Sequence, residues 1–108
     1  MKDLFSLKGQ VAVVTGALGK LGPIWIDTLL EAGAKVLALD HSDAPVSDSF
    51  KQLQARYDDR RLQLAYADVK ARQDIEAASK KCLDTFGVPS ILVNNAGIDQ
   101  PPGQPDKS

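Results

Sequence analysis

The sequence predicts an α/β domain: a doubly wound parallel sheet of four strands, probable order 3-2-1-4, with three helices. Three observations carry this. Short apolar runs alternate with amphipathic stretches along the chain. A glycine-rich turn separates the first apolar run from the first amphipathic stretch. The bulk composition, 44% apolar and 25% charged over 108 residues, is that of one ordinary globular domain.

Each element has its own warrant. QVAVVT (10–15) is short, continuous and valine-rich, as a strand buried on both faces must be. Residues 20–32 read as a helix, with Leu21, Ile24, Trp25, Thr28, Leu29 and Ala32 at helical spacing and Gly33 as its stop. Pro23 falls in the first turn, where a missing N–H matters least. KVLALD (35–40) is the second strand. Ser47 is a natural N-cap for a helix over 48–57 whose Phe50, Leu53 and Tyr57 share a face. LQLAYA (62–67) is the third strand. A helix over 71–86 follows, with Ile75, Ala78, Cys82 and Phe86 inward and Gly87 at its end, and SILVN (90–94) is the fourth strand. Parallel neighbours need crossover connections, which helices supply, and right-handed crossovers open the sheet into a Rossmann-like fold. The domain is placed at 1–98. IDQPPGQPDKS (98–108), rich in proline and nearly free of apolar side chains, makes 99–108 a loop or disordered tail.

Charge and composition exclude several classes. A formal charge of −1 offers no electrostatic case for nucleic acid or an anionic membrane surface. No apolar run approaches the length of a membrane span, and residues 1–10 lack the apolar core of a secretory signal. A single cysteine, Cys82, cannot form an internal disulfide, so the cytoplasm is the expected location. The lone histidine, His41, and Cys82 have no partners at metal-ligand spacing, so no metal site is expected.

VTGALGKLG carries the chemistry. Gly16 lets the chain leave the strand at angles forbidden to a side chain. Gly19 lets a bulky ligand approach the backbone, and Gly22 lets the helix pack close to the sheet. The helix N-terminus beyond offers N–H groups and a partial positive charge to a pyrophosphate. Asp40, 24 residues after Gly16 at the end of the second strand, is placed to accept hydrogen bonds from an adenosine ribose. Its charge repels a 2′-phosphate, and no arginine follows to offset it, so NAD is favoured over NADP. Lys20 pulls the other way, toward that phosphate, although a solvated first-turn lysine is the plainer account of it.

TGALGKLG (15–22), Asp40, the Asp68-Val69 pair and NNAG (94–97) together resemble the N-terminal half of the short-chain dehydrogenase/reductase family, over essentially the whole chain to about residue 100. The resemblance implies that Asp68 touches the adenine with Val69 beside it. It also implies that the turn Asn94-Asn95-Ala96-Gly97 lines the cofactor site. The implied cofactor-binding set is Gly16, Gly19, Lys20, Leu21, Gly22, Asp40, Asp68, Val69, Asn94, Ala96 and Gly97. The plainer account of Asn94 and Asn95, amides that bond local backbone in a turn, can hold together with that cofactor role. One departure stands out: the family pattern is Thr-Gly-x-x-x-Gly-x-Gly, whereas here the middle glycine lies one place earlier, at Gly19, and Lys20 fills its usual position.

Family members move a hydride between nicotinamide and a substrate carbon, here expected to belong to a small alcohol or carbonyl compound. They use a serine and a Tyr-x-x-x-Lys pair on one helix face. An unassisted tyrosine, with a pKa of about 10, is a poor base at neutral pH, so the nearby cation is essential. The one Tyr-x-x-x-Lys match here, Tyr66 to Lys70, starts in a strand, and extended chain holds the two roughly 12 Å apart. It is not the catalytic pair, and no catalytic residue is assigned. The expectation is therefore the dinucleotide-binding half of an oxidoreductase, cut before the fifth strand and inactive as this chain. The alternative is a naturally short nucleotide-binding or self-associating module without catalysis. The bare apolar edge of SILVN makes self-association along the fourth strand the expected partner interaction besides the dinucleotide.

Overall fold

In the computed structural model, which describes residues 6–68 and 70–95, the apolar runs pair as parallel strands. In chain order the elements are β1 (Val11–Thr15), α1 (Gly22–Glu31), β2 (Lys35–Asp40), α2 (Asp48–Arg56), β3 (Leu62–Tyr66), α3 (Arg72–Thr85) and β4 (Ile91–Asn94). The sheet order is β3-β2-β1-β4, with every pairing parallel. The expected order and element count hold. The domain end at 98 and the tail over 99–108 lie outside the described residues.

Strand alternation divides the core into two layers. Ala12, Val14, Val36, Ala38 and Leu62 face α1 and α2, meeting Ile26, Leu30, Phe50 and Leu53. Val11, Leu37 and Leu39 face the other way, toward Cys82 of α3, with Ala78 and Phe86 packed at the margin. The chain steps outward from β1 to β3 beneath one layer of helices. It then crosses back over the opposite face to lay β4 on the far side of β1. The reversal falls between β1 and β4, and a crevice opens there at the carboxyl ends of the strands.

One helix face differs from expectation. Ile24 and Trp25 are 60% and 40% exposed, and Thr28 is exposed as well. The buried set is Gly22, Pro23, Ile26, Leu29 and Leu30. Asp27, Thr28 and Glu31 form a polar face within which Ile24 falls, and Ile26, Leu29 and Leu30 lie opposite it. Gly22, seated closely on the preceding turn, lies on that same inward side. The helix also starts later than Lys20, since residues 19–21 belong to the turn, with Leu21 as N-cap. Ile75 of α3, expected inward, is 47% exposed. It lies near the start of α3 beside β4, where no second helix among the described residues covers the sheet.

The helix ends are held by specific groups. Ser47 Oγ accepts the Phe50 N–H at 3.2 Å, the cap the sequence predicts. α1 has no basic residue in its last turn. Arg61, at the threshold of β3, supplies the charge instead. Its Nη2 donates to the carbonyls of Leu30 (2.7 Å) and Ala34 (3.1 Å), and its guanidinium lies 5.4 Å from the Tyr57 ring centroid.

On the α3 face, β4 is poorly covered. Leu92 is 70% exposed, and a groove of about 550 Å³ runs between β4, β1 and α3, lined by Val13, Ile75, Ala78, Cys82 and Leu92. No helix among the described residues is long and apolar enough to cross a membrane. Phe50 is the largest side chain with no exposure among the described residues. Phe50→Ala is expected to cost about 3–5 kcal/mol of stability, read as a fall in the urea midpoint followed by circular dichroism.

Candidate functional site

The crevice lies along the carboxyl ends of the four strands. Register sets Thr15 of β1 opposite Leu39 of β2 and opposite Asn94 of β4, while Asp40 pairs with Tyr66 of β3. Candidate residues far apart in sequence therefore meet along one edge because the strands are parallel and start in step.

The glycine turn leaves β1 through Gly16, whose φ of +64° lies in the left-handed region. The Gly16 carbonyl accepts two hydrogen bonds at 3.0 Å, from the Gly19 N–H and from Asn95 Nδ2. Ala17 N–H donates to the Leu39 carbonyl at 3.1 Å, extending the β1–β2 ladder into the turn. The next amide, Leu18 N–H, donates to Asp40 Oδ2 at 2.8 Å. Gly22 then seats α1 on this turn. A Cβ there would stand 2.2 Å from the Ala17 carbonyl oxygen and 2.7 Å from that of Gly16. Its close contact is thus with the turn's own backbone, not with the sheet as the sequence suggests.

The mouth of α1 is left open to a ligand. The N-cap, Leu21, makes no side-chain hydrogen bond, and the first turn holds no acidic residue. Ser47 caps α2. α3, like α1, has no side-chain cap at its N-cap, but it carries an acid in its first turn, Asp74, which accepts the Asp68 N–H at 2.8 Å. A helix start with a positive dipole, no carboxylate and a glycine-lined approach fits an anionic group such as a pyrophosphate.

Asp40 is half-buried and does not point into bulk solvent. Besides Leu18, its carboxylate takes the His41 N–H on Oδ1 at 2.7 Å. Asp68 Oδ1 accepts the Lys70 N–H at 2.9 Å, so this carboxylate also shapes the turn into α3. Asn94 Oδ1 accepts the Thr15 hydroxyl at 3.0 Å, tying β4 to β1 at the crevice floor. Lys20 and Leu21 are exposed at the turn. Val69, Ala96 and Gly97 lie outside the described residues. His41 is exposed, and Cys82 is buried, its thiol pushed above its ordinary pKa by burial. Tyr66 sits on β3 and Lys70 in the following turn, so the pair does not share a helix face.

Three contributors escape the sequence-derived set. Thr15 and Leu18 belong to the turn through a hydroxyl and a main-chain N–H. Asn95, with no exposure, holds the turn from the far end of the chain. The repeated asparagine after an apolar run is the signal for Asn95. Its Nδ2 donates to a backbone carbonyl 79 residues away.

This architecture and its motifs have known counterparts. A family model described as short chain dehydrogenase matches residues 10–107, and the chain belongs to that family. It is 40% identical over 92 residues to 3beta-hydroxysteroid dehydrogenase 2 of Eggerthella lenta, covering 85% of this chain and 35% of that protein. It is 32% identical over 93 residues to the 15-hydroxyprostaglandin dehydrogenase [NAD(+)] of Macaca fascicularis, covering 86% of this chain and 35% of the relative. The 3-ketoacyl-(acyl-carrier-protein) reductase from Brucella melitensis, solved in complex with NADH, superposes with a TM-score of 0.67 at 30% identity, covering 81% of this chain and 34% of that one. The chain thus spans about a third of the length of these relatives.

The turn geometry makes Gly22 hard to replace, because the neighbours of an added Cβ are carbonyls that cannot swing aside. Gly22→Ala is expected to destabilise the fold by about 1–3 kcal/mol, the range for overpacking, in a denaturant titration.

Proposed function

We propose that this chain is the NAD-binding part of an oxidoreductase acting on an alcohol or carbonyl substrate. The observation that carries the reading is the convergence of the uncapped start of α1, the Gly16–Gly22 turn and the Asp40 carboxylate on one crevice. In this reading the pyrophosphate lies over the turn amides and the α1 N-terminus, with Lys20 and Leu21 at its rim. Asp40 receives the adenosine ribose hydroxyls, and Asp68 and Val69 border the adenine. Asn94, Ala96 and Gly97 flank the nicotinamide ribose. Asp40 and Asp68, both acidic, disfavour the extra phosphate of NADP. Bound nicotinamide would supply the hydride acceptor or donor. This chain's own residues bind and orient it, and the groups that move the proton on the substrate are not among those described.

The reading takes support from family membership, from the NADH-bound state of the Brucella relative and from the hydroxysteroid and prostaglandin names of the sequence relatives. These names point toward a secondary alcohol on an apolar skeleton. We place the protein in the cytoplasm, since it has one buried cysteine and no disulfide.

Thermal unfolding in the presence of NAD, NADP and ADP tests the proposal. NAD at about a hundred times its Kd adds roughly 2.7 kcal/mol of stability and raises Tm, with a smaller effect from NADP. No shift with any of the three overturns it.

A second reading, self-association along β4 without turnover, draws on the 70% exposure of Leu92 and the 76% exposure of Val88 beside a strand edge. In that case light scattering gives a mass that rises with concentration and falls for Leu92→Lys. A concentration-independent monomer removes this reading.

A further inference from the structure

Asp40 does two jobs at once, and the second is internal to the protein. Its main-chain carbonyl accepts the Ala67 N–H at 2.8 Å, so its backbone is held on the β3 side. Its side chain reaches the opposite way, across to the glycine turn of β1. The Ala17 N–H is taken by the Leu39 carbonyl, the last rung that main chain alone provides between β1 and the neighbouring strand. At the next residue the backbones part, and the Asp40 carboxylate supplies the missing acceptor for Leu18 N–H at 2.8 Å. The bond from His41 N–H to the other oxygen, at 2.7 Å, fixes the carboxylate in that orientation.

We infer that Asp40 is a positioning residue for the phosphate-binding turn, in addition to any direct contact with a ribose. The inference rests on the dinucleotide reading above and deepens it. If Asp40 acted only as a ribose acceptor, its removal would harm only ligands that carry those hydroxyls. If it also sets the turn, its removal harms the binding of any diphosphate seated there, even one with no hydroxyl to offer. Simple electrostatics predicts the reverse sign. Deleting a negative charge beside an anion tightens the anion. An exchange of cofactor preference made by deleting this acid would accordingly loosen the turn it was meant to spare.

The test uses the full chain and a ligand lacking both ribose hydroxyls, 2′,3′-dideoxyadenosine diphosphate, alongside ADP. Asp40→Ala is expected to weaken the dideoxy ligand roughly tenfold, the size of one charge-assisted hydrogen bond. Asp40→Asn, which keeps one acceptor oxygen for Leu18 but no charge and sets an amide N–H against the His41 N–H, is expected to fall between wild type and Asp40→Ala. A second readout needs no ligand. Hydrogen exchange at the Leu18 amide should accelerate by about tenfold or more in Asp40→Ala and by less in Asp40→Asn, since alanine offers no acceptor and asparagine offers one. Asp40→Ser, one bond too short to reach Leu18, stands in should the alanine variant fail to fold. Dideoxy ligand bound by Asp40→Ala as tightly as by wild type, or unchanged exchange at Leu18, overturns the inference. A wild-type chain that binds neither diphosphate defeats the functional proposal instead, and the exchange experiment then decides the role of Asp40 alone.

Discussion

The seat of Gly22 on the carbonyls of Gly16 and Ala17 is the constraint from which the site and much of the packing follow. Close approach at that point requires a residue without a Cβ, and it fixes where α1 begins and which way it faces. Ile26, Leu29 and Leu30 are thereby turned onto Ala12, Val14 and Val36, while Ile24 and Trp25 are turned out. It also aims the helix axis at the mouth of the turn, where amide dipoles add up over a glycine-lined surface. Core and site are thus not separate designs, since one contact orients both.

The ring of hydrogen bonds around the turn is unusual in its sources. One bond is local, from Gly19. The others come from β2, through the Leu39 carbonyl and the Asp40 carboxylate, and from the residue after β4, through Asn95. Backbone that departs from regular structure in a half-buried place must find partners for its polar groups. The parallel sheet provides them because its strands end in step along one edge. This is a physical reason for such a turn to sit where the chain reverses its progress across the sheet, with strands on both sides of β1.

Strand identity, strand order and the place of the crevice were legible in the sequence. VAVVT, KVLALD, LQLAY and ILVN are short β-branched or leucine-rich runs separated by glycine, serine or charged residues, and no helix competes for them. The inward face of α1 is legible in its polar side, Asp27, Thr28 and Glu31, and counting Ile24, Trp25 and Thr28 as inward rotates the helix away from it. Thr15 and Leu18 escape a reading of residue types, because Leu18 acts through a main-chain N–H and Thr15 through a hydroxyl paired across strands. Asp40 was found for its charge and spacing, but its bond to Leu18 depends on the divergence of two backbones, which only coordinates reveal.

The bond from Asn95 to the Gly16 carbonyl has a bearing on how the molecule comes into being. Its two ends are separated by 79 residues, nearly the whole of the sheet-forming sequence. On a ribosome the Thr-Gly motif emerges early and then waits unfinished until β4 has threaded in beside β1. Contacts of such long sequence separation are slow to close, since the intervening chain must surrender its freedom first. The glycine turn is therefore completed only after β4 has joined β1, when Asn95 can reach the Gly16 carbonyl.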